Sequence, residues 1–477
     1  MPAKPYDAVW RIVRLRVAEL TLGDRQFPVI IWSVSLAVFL LSPVVQFGDS
    51  AFSLLLSESL LHRHGFDLSA YLPDGAKAAI VNRVDFMHVK PLYQLLRVRH
   101  AIVYAYPFGG SILAIPFVAV LNLCGLSVSS NQHFNIYAEV TMQRFIAAFL
   151  MATLAWIFFR AARLLLSRNW SAVIALGAAF GTPVWSSLSR GLWSQTWAVF
   201  LTGYLMYRLL ADDAKLRPAN GATLATLASW IFFCRPTGAI VVVAVTAYLI
   251  ASRRHLLRQW FIAGLFWLLC FIGLSREIYG TLVPPYYLYG GLIHTDHVFE
   301  GMAGVLFSPS RGLFIFVPVT LWIFYLVLRN FNLLPHQGLA WLALGICLVE
   351  VPLAACDAKW WGGHSYGPRL LADLIPWLVL LAILAFAAEI RRTQAPSAGK
   401  RNALLRYGPE TIGAAALALS ILMNAPGALS PTGDLWNKRG GDVDTHPQRL
   451  WDWKKPQFLA WISSEPHDPN TPSSIDH

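Results

Sequence analysis

The sequence predicts an all-α polytopic membrane protein, and three observations carry that prediction. Hydrophobic residues make up 56% of the 477 residues and charged ones only 13%, whereas soluble domains carry about 25% charged residues. Apolar runs of about 15 to 22 residues recur along the chain, the length of helices crossing a hydrocarbon core about 30 Å thick. The strict alternation of a membrane barrel is missing, and in lipid only helices and closed barrels satisfy their own backbone groups. The net charge of +12 would suggest nucleic acid in a soluble protein. Here Lys and Arg fall in short blocks between apolar runs, as membrane orientation requires, so no nucleic-acid partner is expected. The five cysteines show no paired or metal-ligand spacing, so neither a disulfide framework nor a zinc site is expected.

Residues 1–27, with Arg11, Arg14, Arg16 and Arg25, read as a basic amphipathic segment on the cytoplasmic face, and the apolar run after them as a retained first span, 28–46. Asp49 then emerges outside and opens a first outer region, 47–143. Within it Ala51–His64 has helical spacing, with Leu54, Leu55 and Leu61 placed to lie on lipid and Glu58 and His62 on a polar side. The apolar stretch 101–126 is interrupted by Pro107, Gly109, Gly110 and Pro116 and reads as a re-entrant or interfacial hairpin. Spans follow at 144–159, 171–187 and 196–210. The run 219–251 is too long for one helix and is split at Cys234-Arg235-Pro236 into two. Further spans at 260–275, 312–328, 337–356, 374–388 and 410–424 lead to an outer tail, 425–477. The transmembrane domain is thus 28–424, with about eleven spans in the range that fits the bilayer. Asp49, Arg190, Arg235, His294, Lys359, His364 and Arg369 all reach one side of it.

Several stretches carry chemistry or an ordinary structural alternative. Asp49 precedes a helical pattern, where a carboxylate either caps the helix or works at the membrane surface. Lys359-Trp360-Trp361-Gly362-Gly363-His364-Ser365-Tyr366-Gly367-Pro368-Arg369 combines glycines and a proline for a sharp turn with two cations able to neutralise a phosphate, Arg369 through its two-pronged donors. The alternative is an interfacial Trp belt with lipid-contacting cations. Arg235 interrupts an apolar stretch, where a charge costs about 2.5–3.5 kcal/mol at the bilayer centre, so it needs a partner such as a phosphate or a watery outer turn. His294-Thr295-Asp296-His297 lacks a third ligand and is weak as a metal site, and His62 and His64 read as interfacial polar residues.

These motifs in their order, Gly48-Asp49, Tyr106-Pro107-Phe108-Gly109-Gly110, Ser189-Arg190-Gly191-Leu192-Trp193-Ser194-Gln195, Phe233-Cys234-Arg235-Pro236-Thr237, Leu306-Phe307-Ser308-Pro309-Ser310-Arg311-Gly312-Leu313 and Trp360–Arg369, resemble bacterial GT-C glycosyltransferases. The likeness is to the protein O-mannosyltransferase and lipid A aminoarabinose transferase group and covers about 28–425, with a similar tail segment at Pro447–Trp453. The resemblance implies a GT-C-like bundle in the bacterial inner membrane. It also implies inverting transfer of a sugar from a polyprenyl-phosphate carrier to a lipid, glycan or protein acceptor on the non-cytoplasmic face. By position Asp49 matches the first-loop acid that serves as base or acceptor-orienting group. Many relatives have two adjacent acids there; Ser50 follows Asp49 here, leaving a divalent cation an open question and Glu58 a possible substitute. Phosphate departure asks for cations, for which Arg369, Arg235, Lys359 and Arg190 are candidates, with His364 and Tyr366 in the same substrate-binding run. A lipid-linked sugar flippase or transporter, or a catalytically silent lipid-binding protein, is the rival reading. The sequence shows no internal repeat, and most charges sit at span ends.

Overall fold

The computed structural model describes residues 22–62, 64–80, 92–130, 133–288, 296–394 and 403–462. The chain is mostly helical, 70% helix, and the strands among the described residues form two antiparallel two-stranded ribbons, Leu95–Val98 with Ala101–Tyr104 and Ser129–Ser130 with His133–Phe134. Five described helices are long and apolar enough to cross a membrane: Ile136–Ala162, Arg254–Tyr279, Gln337–Ala355, Arg369–Thr393 and Glu410–Leu429. The architecture is that of an all-α membrane protein. The window in Arg369–Thr393 is 83% buried and that in Arg254–Tyr279 only 17%, so the first is the central helix and the second, with Phe261, Leu265 and Leu269 bare, is the outermost. Shorter apolar helices run at Gln26–Leu41, Gly109–Leu123, Gly221–Cys234, Gly238–Ser252, Val298–Phe307 and Val319–Arg329.

Helix ends follow from local chemistry. Asn135 accepts from the backbone N–H groups of Tyr137 and Ala138 and starts Ile136–Ala162, and Asn220 does the same for Gly221–Cys234. The split at Cys234-Arg235-Pro236 is where the sequence places it. Arg235, preceding Pro236, takes the extended conformation at φ −154° and ψ 139°, because the proline ring disfavours a helical residue before it. The span expected over 28–46 stops at Leu41. Pro43 supplies no N–H to continue it, and Arg144 and Arg190 donate to the carbonyls of Phe39, Leu40 and Ser42 left open at its end. The span expected over 312–328 is broken at Pro318 into Leu313–Phe316 and Val319–Arg329.

The first outer region departs most from expectation. The helix predicted to lie on lipid, Ser53–Leu61, is interior: Leu54, Leu55 and Glu58 are fully buried. It packs along Gly109–Leu123, tied by the Ser57 hydroxyl to the Ser111 carbonyl at 2.7 Å. A short amphipathic pattern reads alike whether its apolar side meets lipid or another helix, and here the helix wins. The stretch 101–126 is not a helical hairpin but a β-strand followed by a single helix. The amphipathic segment expected over 1–27 lies, up to residue 21, outside the described residues.

Candidate active site

Asp49 does not cap the helix that follows it. The cap residue is Phe52, at φ 68°, and the carboxylate serving the open N–H groups comes from Glu139 of Ile136–Ala162, which accepts from Phe52 at 2.9 Å and Leu54 at 2.8 Å. Asp49 is thereby left for other work. Its Oδ1 accepts from the hydroxyls of Tyr93 at 3.2 Å and Tyr106 at 3.1 Å, and its backbone carbonyl accepts from Tyr104 at 2.7 Å. Burial first, and then the charge of Asp49, pushes all three phenols well above their ordinary pKa, so they are permanent donors. The other oxygen, Oδ2, faces Arg369 Nη1 at 3.4 Å across an Asp49 side chain still 36% exposed.

Arg369 sits at the start of the central helix, 320 residues from Asp49. Its guanidinium lies 4.2 Å over the Trp193 ring and donates to the Gly362 carbonyl at 2.9 Å. Gly362, Gly363 and Gly367 have φ of 70°, 63° and 59°, the left-handed turns expected of this run, which bring that carbonyl under the arginine. One turn further along, Asp373 pairs with Arg235 Nε at 2.9 Å, and Arg235 reaches the Ser194 hydroxyl at 3.5 Å. Arg235 therefore stands beside Asp49 and Arg369 but with a carboxylate partner of its own. Tyr286 joins the two pairs: burial pushes its phenol up to about 12, with Arg235 pulling it down and Asp49 pushing it further. The approach of Gly109 to the Phe233 backbone closes this wall, since a Cβ on Gly109 would fall 2.5 Å from the Phe233 carbonyl. Between the walls a small cavity is lined by Asp49, Ser53, Tyr104, Tyr106, Trp193 and Trp197, among others.

The remaining sequence candidates lie elsewhere or are engaged. Lys359 Nζ pairs with Asp444 at 2.6 Å, and His364 Nε2 bonds Asp442 at 2.9 Å, so both are bound to the C-terminal tail. Tyr366 is fully buried against Phe316 and donates to the Met423 carbonyl. Arg190 is buried on the carbonyls of Phe39 and Ser42, and burial with the nearby Arg144 pushes it down to about 9. Glu58 accepts from Ser127 and from the backbone of Val128 and Ser129, holding the second ribbon. His294 lies outside the described residues. Among the described residues His364, Asp442 and Asp444 offer three ligand atoms within 4.8 Å of one another, a set that could hold a divalent cation. The Lys359 ammonium and the Trp361 N–H already occupy the Asp444 carboxylate, so a cation there competes with Lys359.

Neither a protein-family model nor a curated protein matches the chain. Tyr106, Trp193 and Arg311 lie inside sequence motifs that assign them no role, and Tyr93, Tyr104, Glu139, Trp197, Asp373, Asp442 and Asp444 lie outside those motifs. For Glu139 a signal existed: a lone acid in an apolar helix must find donors. The aspartates of the tail carried none.

Proposed function

We propose that the chain is an inverting membrane glycosyltransferase that moves a sugar from a polyprenyl-phosphate carrier to a lipid, glycan or protein acceptor on the non-cytoplasmic face of a bacterial inner membrane. The reading includes a GT-C-like bundle of about eleven spans, of which five described helices are long and apolar enough to cross outright, while the shorter apolar helices would thin the bilayer locally. The single observation that supports it most is the meeting of Asp49, which lines the cavity, with Arg369 beside it, a base and a phosphate-binding cation from opposite ends of the chain. Oδ1 is held by two phenols, which leaves Oδ2 to take the proton of the acceptor hydroxyl. The acceptor oxygen bonds to the anomeric carbon from the face opposite the carrier. The carbon–oxygen bond to the phosphate breaks, and the phosphate leaves with the electron pair toward Arg369, whose fork turns from Oδ2 to the phosphate oxygens as the sugar enters between the two.

The test is turnover of purified protein with polyprenyl-phosphate sugars and an acceptor extract. Loss of transfer in Asp49→Asn, with full transfer in Asp74→Asn, supports the reading; full transfer in Asp49→Asn removes Asp49 from the mechanism. Carrier movement across vesicles without transfer favours the flippase instead.

A further inference from the structure

The cavity beside Asp49 carries donors that the reaction above does not use. Its lining includes Ser111, Trp193 and Trp197, which are 1%, 5% and 4% exposed. Neither indole N–H, nor the Ser111 hydroxyl, has a hydrogen-bond partner among the described residues. An indole N–H can only donate, and a buried donor left unpaired forfeits the hydrogen bond it had in water. Two at one cavity point to an acceptor atom that belongs there. The rings are held in place: Trp193 lies under Arg369, and Trp197 packs edge-on against Phe117 and Phe200. Gly110 keeps the space open, since a Cβ there would come 3.1 Å from Trp197 Cδ1.

Charge and size decide which acceptor. Asp49 is the charged residue of the lining, and Arg369, which keeps a donor without a partner among the described residues, stands outside it. A phosphate oxygen in the cavity would face a carboxylate with no cation of its own. A neutral hydroxyl can accept from an indole N–H and donate to the carboxylate. The cavity volume of about 20 Å³ exceeds the roughly 10–15 Å³ a site needs to hold one water, so it has room for a single hydroxyl.

We propose that this cavity is a hydroxyl slot in which Trp193 and Trp197 bind a neutral hydroxyl of a polyhydroxylated substrate and so select it over deoxy analogues. That the hydroxyl belongs to the acceptor rests on the transferase reading; the binding does not. A site built around donors rejects an analogue lacking the oxygen, because the donors are then left unpaired.

The experiment is saturation-transfer NMR on the purified full chain, in a detergent without a sugar headgroup, with methyl glucoside, mannoside and galactoside, their monodeoxy analogues and inorganic phosphate. The expected result is saturable binding of at least one methyl glycoside, weakened about tenfold in Trp193→Phe, in Trp197→Phe and on removal of one hydroxyl, and unaffected by phosphate. Displacement by phosphate, equal binding in both Phe variants, or no glycoside binding overturns the slot. Should a Phe variant fail to fold, Gly110→Ala decides: the added methyl fills the slot and must abolish binding. Prior addition of the polyprenyl-phosphate sugar separates the sources, because a donor hydroxyl would displace the glycoside and an acceptor hydroxyl would not. Binding without any transfer leaves the slot standing and removes the transferase reading.

Discussion

Arg311 and Arg369 grip the same loop from two sides, yet they are two different kinds of cation. Arg311 donates to the carbonyls of Trp361, Gly363 and Ser310 and to the side chains of Gln457 and Asn437, every partner a neutral oxygen. Burial, and then the charge of Arg369, pushes its pKa down to about 9, and the hydrogen bonds hold it in place regardless. Arg369 has one carboxylate at 3.4 Å, one carbonyl and an aromatic face, and its Nε has no partner among the described residues. A guanidinium whose donors are all met holds the chain together. One with donors to spare, beside a half-exposed carboxylate, is placed to meet something else.

The sharpest way to break that contrast is to remove one charge from each region. Asp49→Asn is expected to lower transfer by about 10²–10⁴-fold, the usual contribution of a positioned base, with the melting temperature in detergent unchanged. Arg311→Ala is expected to do the reverse. Removing five interior hydrogen bonds, with the Ser310 and Gly363 carbonyls losing this donor and Gln457, Asn437 and Trp361 each keeping another partner, costs on the order of 3 kcal/mol. The loss is read as a lowered melting temperature and early proteolysis of the tail, with residual activity following the folded fraction. If Arg311→Ala melts normally but does not turn over, the division between the two arginines is wrong.

A smaller effect is expected from Glu139→Gln. The amide keeps one oxygen for either the Phe52 or the Leu54 N–H and turns its NH2 to the other, and it lacks the charge that favours a helix N-terminus, together a loss of about 1–2 kcal/mol. Because that cap fixes the turn carrying Asp49, the variant should raise KM more than it lowers stability. Equal effects on both would make Glu139 a purely structural residue.

These contrasts also mark what the sequence could tell. Apolar run length and the proline at 236 placed most helices, because they act locally and membrane helices have few alternatives. The Gly362-Gly363 and Gly367 turns were legible for the same reason. The role of Glu58 was not: a helix with polar residues four apart looks interfacial until its neighbour is known, and here that neighbour begins at Gly109, about fifty residues on. Nor could sequence sort the cations. Arg190, Arg235, Arg311 and Arg369 all sit in short polar breaks between apolar runs, and only their partners, up to 320 residues away, tell them apart. Asp49 stands alone after the first span, where the sequence leaves capping and surface chemistry both open, and the capping falls to Glu139.

The tail offers the mildest test, through pH. Burial raises the Asp442 carboxyl, but the hydrogen bond from His364, the Asp444 N–H and the charges of His364 and Lys359 more than reverse this, leaving it below its ordinary value. A carboxyl depressed in the folded state stabilises fully above its unfolded pKa of about 3.9, and that stabilisation is lost as the pH falls through the lower folded value. Asp434 in the same tail works oppositely: burial raises it, with Lys438 and His364 only partly offsetting, so acid relieves it. The Asp442 side chain is 39% exposed, so solvent screens much of its pairing and the effect is modest. Release of the tail by limited proteolysis should therefore gain nothing from Asp442 between pH 5 and 8 and rise below about pH 4. In Asp442→Asn the rise below pH 4 should be smaller and baseline release higher throughout. An unchanged acid rise in that variant would move the latch from Asp442 to the Lys359–Asp444 pair, whose ions lie 2.6 Å apart.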